Sequence, residues 1–412
     1  MELDVTDPKP PADTPADSMR PLEGVLVVDL TRFIAGPFAS MLLADLGADV
    51  IKVEPPTGDP MRTNKSGPQL DGESIQFQSY NRNKRSITID LGSEPGRALL
   101  MALIDEADVL VENFRPGVAD RLGLDHDTLR RTNPKLVQCA VSAFGQTGPW
   151  RDRPGFDLIV QAMGGGMSLT GHPSTGPAHI PFHLGDTAGG MFAALSITAA
   201  VAGAARTGQG RLIDISMLDC QVALLGDEIT HLYAGTEPRQ HGGGHPNFFP
   251  YQVFPTADEP VAVAAVGMDK FWPQFCEAIG RPDLGQDPRY AANNDRCAHA
   301  EVLADEISQA MRARPREHWL RVLASADIPS APLQTVREAV AHPQVTERSM
   351  VQDLSQGEGR VVVPGDPMKM NGAPNPYQPA PTIGEHTDEV LADVLGADRL
   401  ERIRLRSEGA LG

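Results

Sequence analysis

The sequence is poor in cysteine, which argues against a disulfide-stabilised protein and against a metal site with cysteine ligands. Its four cysteines, Cys139, Cys220, Cys276 and Cys297, are too few and too scattered for a disulfide framework. None forms a C-x-x-C pair or lies at metal-ligand spacing from another, so we expect no metal site. Unpaired cysteines are typical of a reducing compartment, and we therefore expect a cytoplasmic protein.

Positive charge is also scarce, and long apolar runs are missing. The chain carries 36 Lys+Arg against 54 Asp+Glu, a net charge of -18. This balance disfavours nucleic acid and anionic membranes as partners. A membrane span needs about 18 apolar residues, and the nearest run, Met191 to Ala205, is shorter. Residues 1–20 are acidic and proline-rich without an apolar core, which is unlike a signal peptide and predicts a disordered leader.

Short valine-rich runs alternate with helical patterns in the first part of the chain. Such runs are typical of parallel strands that are buried on both faces, and the alternation predicts a doubly wound α/β sheet. The turn after the first run reads TRFIAGPFAS and lacks G-x-G-x-x-G, which disfavours a dinucleotide site. The predicted strands are Gly24–Leu30, Asp49–Glu54, Ser86–Leu91, Ala107–Phe114 and Leu136–Phe144.

The alternation breaks at GTEPRQHGGGHPNFFPYQVFP, residues 235–255, which is rich in glycine, proline and histidine. We place a domain boundary there, so that residues 21–234 form the first part of a large Rossmann-like domain. Residues 235–330 form a smaller domain that opens with a strand and a helix. Residues 331–412 return to the large domain through a short antiparallel piece in MVQDLSQGEGRVVVPG.

A single charged residue, Asp186, lies in the apolar stretch HLGDTAGGMFAALSITAAV. One interpretation is that Asp186 is the N-cap of a helix that runs from Ala188 to Val201. The other is that it is a reactive carboxylate. Gly189 and Gly190 in the first turn each cost about 1 kcal/mol relative to alanine, which indicates that the backbone is approached closely there.

Six segments, in this order, resemble the family III CoA-transferases, also called the CaiB/BaiF family. They are DLTRFIAGPFASMLLADLGADVIKVEPP, NRNKRSITIDL, ADVLVENFRPGVADRLGL, SAFGQTGPWRDRPGFDLIVQAMGG, LGDTAGG and GEHTDEVL, and the likeness runs from about Pro21 to about Leu395. The resemblance implies an α/β fold with a Rossmann-like large domain formed by both chain ends. It also implies a smaller α+β domain and a homodimer of interlocked rings.

The resemblance further implies the reaction. CoA passes from an acyl-CoA donor to a free carboxylic acid, and Asp186 is the nucleophile. The intermediates are an aspartyl anhydride and an enzyme–CoA thioester. No prosthetic group is implied, because the CoA thioester is itself a substrate. A glycine-rich loop, here Gly242, Gly243, Gly244 and His245, would shield these intermediates from water.

CoA-binding positions are carried over from the family motifs. Some family members have glutamine at the position of Ile34 and a basic residue at that of Pro55, so Arg62, Lys84 and Arg85 are candidates to replace part of the phosphate site. Arg121 could pair with phosphate, and Phe114 could pack on adenine. The implied CoA-binding residues are Ile34, Ala35, Leu91, Asn113, Phe114, Arg115, Arg121, Phe156 and Asp157.

Two alternatives stay open. An alpha-methylacyl-CoA racemase has a related fold but uses a histidine base where this chain has Phe156, which cannot accept a proton. A non-catalytic acyl-CoA binding protein would not need the intact LGDTAGG. The loop GGGHPNFFPYQVF is similar to that of members using succinyl-CoA or other dicarboxylates, whose distal carboxylate could meet His245 or Arg32.

Overall fold

The structure is a computed structural model that describes residues 20–65, 67–70, 73–265, 270–355, 361–370 and 377–411. The predicted disordered leader, apart from Arg20, lies outside the described residues. The strands are β1 (Leu26–Asp29), β2 (Asp49–Glu54), β3 (Gln69–Leu70), β4 (Glu73–Ser74), β5 (Lys84–Thr88), β6 (Val109–Glu112), β7 (Val137–Ser142), β8 (Gly171–His172), β9 (Gly176–Pro177), β10 (Leu212–Ser216), β11 (Tyr251–Phe254), β12 (Val261–Ala264), β13 (Ser330–Pro332), β14 (Val351–Asp353) and β15 (Val362–Pro364).

Helices are interleaved with these strands, and one short 3-10 helix spans Pro288–Tyr290. The α-helices are α1 (Ala35–Asp45), α2 (Ile75–Asn81), α3 (Glu94–Glu106), α4 (Val118–Arg121), α5 (His126–Thr132), α6 (Asp157–Met163), α7 (Gly166–Leu169), α8 (Leu184–Thr207), α9 (Met217–Leu224), α10 (Asp227–Tyr233), α11 (Phe271–Ala278), α12 (Pro282–Gln286), α13 (Asn293–Ala298), α14 (Ala300–Met311), α15 (Arg316–Ser325), α16 (Val336–Val340), α17 (Pro343–Glu347), α18 (Thr387–Asp393) and α19 (Arg399–Ser407).

A six-stranded parallel sheet organises the larger unit, in the order β10-β7-β6-β1-β2-β5. The prediction of a parallel α/β sheet is therefore confirmed. The observed strands are mostly shorter than the predicted ones, and β5 begins earlier because Lys84 and Arg85 pair with Val50 and Ile51 of β2.

Helices cover both faces of this sheet, which explains its apolar sequence. On one face, Val27 of β1 belongs to the core that includes α1 and α8. On the other face, Val28 belongs to the core that includes α3 and α18, together with Leu411 near the end of the chain. The carboxyl-terminal segment thus packs on the same sheet as the amino-terminal segment.

The chain divides into two compact units. The described residues of the larger unit lie within 20–166, 180–230 and 343–411, and those of the smaller unit lie within 167–179 and 231–342. We predicted residues 235–330 for the smaller domain. The structure also groups residues 331–342 with it, since β13 pairs with β12 and Arg316 forms an ion pair with Glu338 of α16.

The smaller unit is built around the antiparallel sheet β11-β12-β13 and helices α11 to α15. Its core holds Phe254, Trp272, Phe275 and Leu303, each buried. The predicted strand and the predicted helix are present as β12 and α11, but they do not open the unit, because β11 precedes them.

Helix α8 is the longest helix in the described ranges, and by length and composition it could span a bilayer. One side of α8 lies in the core of the larger unit. A Cβ atom on Gly190 would come within 2.8 Å of Ala35 O in α1, so glycine is needed for the two helices to approach. On other sides of α8, Met191 is 48% and Leu195 66% exposed.

Candidate active site

Helix α8 begins before the position that we predicted. It runs from Leu184, with His183 as its N-cap residue, and Asp186 therefore lies inside the first turn. The interpretation of Asp186 as the N-cap of a helix starting at Ala188 is wrong. Its carboxylate therefore does not cap the helix.

A second carboxylate, that of Asp157, performs the capping role. Its Oδ1 accepts hydrogen bonds from the backbone N–H of Gly185 at 2.7 Å and of Asp186 at 3.3 Å. Its Oδ2 accepts from Nε2 of Gln161 at 2.7 Å. Asp157, which is buried at the start of α6, thereby satisfies N–H groups that a helix end leaves unpaired.

The carboxylate of Asp186 lies half-buried beside this negative charge. Burial and then the charge of Asp157 raise the pKa of Asp186 to about 7. Among the described residues, none donates a hydrogen bond to this carboxylate. Burial and the charges of Asp186 and Asp157 likewise raise the pKa of Tyr80, whose ring stands edge-on to Phe38 at 6.0 Å. Asp186 is thus an unpartnered carboxylate with raised basicity, which suits a nucleophile.

The glycines of LGDTAGG allow the protein to pack closely around this carboxylate. A Cβ on Gly185 would lie 2.6 Å from Cγ2 of Val160, and one on Gly189 would lie 3.1 Å from Cγ of Met217. The close approach to the backbone that we predicted is present. The atoms that come close to these glycines belong to neighbouring residues of the protein. A larger side chain at either glycine would collide with them, which explains the glycines of the motif.

A cavity of about 220 Å³ opens at the carboxyl ends of β1, β2, β5 and β6. Leu91 and Phe114, both predicted to bind CoA, line it together with Arg32 and Pro55. The Arg32 guanidinium carbon lies 5.8 Å from the centroid of the Phe114 ring. Ligands of parallel α/β sheets bind at this edge, and an aromatic ring beside a guanidinium suits a base and its phosphates.

The other predicted CoA residues have mixed environments. Ile34 and Ala35 are buried where α1 begins, whereas Arg115 and Arg121 are exposed. Asn113 bonds the backbone of the loop before α1 through both ends of its amide.

Phe156 is the N-cap residue of α6 and is 65% exposed. Its ring meets that of Phe33 edge-on at 6.0 Å. The side chain of Asp157, next in the chain, is engaged by α8 as described above and is not free for CoA.

Three basic residues considered for the phosphates do not fit that role. Arg62 and Lys84 are buried and pair with Glu54 and Asp29. Arg85 pairs with Asp49 at the amino end of β2, on the opposite edge of the sheet. A wider cavity of about 470 Å³ lies at that opposite edge, away from Asp186.

The glycine-rich loop belongs to the smaller unit and is tied down by backbone hydrogen bonds. Gly242, with φ of 60°, donates to Gly171 O, and Val253 N donates to Gly243 O. Gly244 forms an isolated bridge with Gln252.

His245 is held within the same loop. Its ring lies 5.0 Å from that of Phe248 and 5.2 Å from that of Tyr251, and its Nδ1 accepts from Asn247 N. A role for this loop and for His245 in catalysis stays a prediction.

Sequence reasoning missed the residues of α2 that lie near Asp186 and the start of α8. Nε2 of Gln76 lies 3.3 Å from Nε2 of His183, the N-cap residue of α8. Tyr80 follows Gln76 by four positions and so shares its helix face. No sequence signal marks them, because the contact joins positions that are 107 residues apart.

Comparison with known proteins identifies related chains. The sequence model of CoA-transferase family III matches residues 22–387. An acetyl-CoA:oxalate CoA-transferase of Acetobacter aceti is 40% identical, covering 89% of this chain and 93% of that one. A succinate–glutarate CoA-transferase of Agrobacterium fabrum is 39% identical, covering 92% and 97%. A crystal structure of a CAIB/BAIF family protein from Brucella suis has a TM-score of 0.81 at 36% identity, covering 91% and 99%.

Proposed function

The chain belongs to CoA-transferase family III, and on that premise we propose that Asp186 carries the acyl group while CoA moves between two carboxylic acids. The protein is a CoA-transferase. The observation that carries the mechanism is the half-buried carboxylate of Asp186, which has a raised pKa and no hydrogen-bond donor among the described residues. A carboxylate in this state can attack a thioester.

The proposed cycle has four steps. The Asp186 carboxylate attacks the thioester carbonyl, and the C–S bond breaks to give an anhydride and CoA thiolate. The thiolate attacks the carbonyl of Asp186, expelling the donor acid as a carboxylate and leaving an enzyme–CoA thioester. The acceptor carboxylate attacks that thioester, forming a second anhydride and thiolate. The thiolate then attacks the acceptor carbonyl, which yields the new acyl-CoA and frees Asp186.

The substrate class that we propose is dicarboxylic. The names of the relatives contain oxalate, succinate, glutarate and mesaconate, all of which are dicarboxylates. Succinyl-CoA is the proposed donor. A racemase is disfavoured because Phe156 supplies no base, and a purely binding role gives no reason for the environment of Asp186.

We further propose a homodimer of the interlocked-ring type, in the cytoplasm. The support is a set of exposed apolar side chains on the surface of two helices that contact each other, Met191 and Leu195 of α8 and Val222 and Leu224 of α9. Monomers rarely leave such a surface uncovered, and a second copy would cover it. Light scattering should give about twice the chain mass of 44.2 kDa. A monomer at micromolar concentration, or a protein that sediments with vesicles, contradicts this proposal.

The mechanism is tested with isotope-labelled acceptor. In a single turnover, wild-type protein, succinyl-CoA and glutarate labelled with ¹⁸O in its carboxylates should form glutaryl-CoA, and one ¹⁸O atom should appear in the side chain of Asp186. Peptide mass spectrometry reads this label. Asp186→Ala should form no product, whereas Asp152→Ala, at an exposed position, should resemble wild type. Product formed without label in Asp186 would refute the anhydride route.

A further inference from the structure

We propose that two buried lysines, Lys52 and Lys84, are positioning residues for CoA binding. They act on the β1–α1 loop, residues 30–34, and on the first turn of α1. This inference rests on the proposed function, because it assumes that the cavity beside this loop receives acyl-CoA. Leu30 and Arg32 of the loop line that cavity.

The loop has a conformation that must be imposed on it. Phe33 has a φ of 66°, a left-handed backbone conformation that is unfavourable for a residue other than glycine. The turn is also tight, because a Cβ on Gly36 would lie 2.4 Å from Cβ of Thr31. Such a backbone persists only where surrounding groups fix it.

Lys52 fixes the start of the loop. Its Nζ donates to Thr31 O at 2.9 Å and to Oδ2 of Asp59 at 2.9 Å. The lysine side chain is fully buried. Burial lowers the pKa of Lys52, but Asp59, Asp29 and Glu54 together raise it more, so the ammonium form is retained.

Lys84 fixes the first turn of α1. Its Nζ donates to Pro37 O at 3.0 Å, to Oδ1 of Asn81 at 2.8 Å and to Oδ2 of Asp29 at 3.1 Å. Asp29 in turn accepts from the backbone N–H of Thr31 at 2.8 Å. The two lysines therefore act on both ends of the turn. Asp29 links these ends, because it accepts hydrogen bonds from Lys84 and from the backbone N–H of Thr31, whose carbonyl accepts from Lys52.

Asn113 fixes the middle of the loop from the end of β6. Its Oδ1 accepts from Arg32 N at 2.8 Å, and its Nδ2 donates to Arg32 O at 2.7 Å. Arg32 is thus presented to the cavity with both backbone polar groups satisfied. Asn113, which family resemblance assigns to CoA, bonds this loop directly.

Stability alone gives little reason to bury these charges. Replacing a buried ion pair by apolar side chains of similar volume is often neutral or stabilising. Here the ammonium groups bond backbone carbonyls of the turn, which apolar side chains cannot do. The structure therefore assigns these lysines to loop geometry.

The test compares Lys52→Met and Lys84→Met with Arg82→Met. Arg82 forms an equally buried ion pair with Asp45, away from this loop. With succinyl-CoA and glutarate, both lysine variants should raise KM for acyl-CoA at least tenfold while kcat stays within about threefold. Arg82→Met should lower the thermal midpoint without raising this KM.

Asn113→Ala is a second variant in case the lysine variants do not fold. Asn113 is only half-buried and also holds the backbone of Arg32. It should also raise KM for acyl-CoA and weaken CoA binding measured by calorimetry. Unchanged KM and CoA affinity in every folded variant would overturn the proposal. Failure of the proposed function would instead show as absence of CoA transfer by the wild-type protein.

Discussion

Replacing Asp186 by asparagine should make the protein more stable while abolishing activity. Asparagine keeps the shape of the side chain and removes the charge. In the folded protein, burial and the neighbouring charge of Asp157 raise the pKa of Asp186 from 3.8 to about 7. The fold therefore holds the ionised carboxylate at a cost, as is common for catalytic groups.

The size of this cost follows from the shift in pKa. A shift of about 3 units corresponds to about 4 kcal/mol, which is an upper limit. Because Asp186 is only half-buried, solvent screening reduces the expected gain in unfolding free energy for Asp186→Asn to about 1–2 kcal/mol.

The gain in unfolding free energy for Asp186→Asn should depend on pH in a defined direction. Well below pH 3.8 both folded and unfolded wild-type chains carry the proton, so the cost is absent. Between pH 4 and 7 the unfolded chain loses its proton first, and wild-type stability falls. Above pH 7 the carboxylate is ionised in both states, and the full cost remains.

Thermal and denaturant unfolding at one protein concentration, at pH 4.5 and pH 8, measure this difference. Asp186→Asn should exceed wild type at pH 8, and the gap should shrink at pH 4.5. Asp152→Asn, at an exposed position, should show no such gap. Equal stability of Asp186→Asn and wild type at both values of pH would refute the electrostatic reasoning.

Three further predictions concern rate, packing and CoA affinity. Since protonated Asp186 cannot attack, initial rates should show kcat/KM falling about tenfold per unit below about pH 7, and Asp157→Asn should move this limb to lower pH. Gly190→Ala should destabilise by about 1–3 kcal/mol in thermal unfolding, because its Cβ would crowd α1. Gly203→Ala, also in α8 but with open space, should be neutral or stabilising by up to about 1 kcal/mol. Phe114→Ala should raise KM for acyl-CoA with kcat unchanged, as steady-state kinetics can show.

The sheet could be predicted from sequence because burial on both faces leaves a direct trace. Runs such as LVVD and DVIKVE must be apolar wherever helices cover both sides of a strand. The end of the smaller unit was harder to place. Pairing of β13 with β12 depends on a partner far along the chain, which local patterns do not reveal.

The family motif predicts Asp186 as the site residue, but the sequence does not reveal which residues surround it. Local capping rules misplaced the start of α8, because the cap is supplied by Asp157 from another helix. In the same way, sequence shows that Lys84 is charged but not that it is buried. Local rules describe a residue and its neighbours in sequence, whereas these roles depend on neighbours in space.

The raised pKa of Asp186 also determines which intermediate should accumulate in the proposed cycle. An ordinary carboxylic acid has a pKa of about 4.3, so its carboxylate leaves an anhydride more readily than that of Asp186, with its pKa of about 7. Thiolate attack should therefore favour the Asp186 carbonyl, which yields the enzyme–CoA thioester. Intact-protein mass spectrometry after mixing with succinyl-CoA alone should show this adduct, and Asp157→Asn should reduce it. A succinylated enzyme without CoA as the main species would show that leaving-group ability does not control the partition.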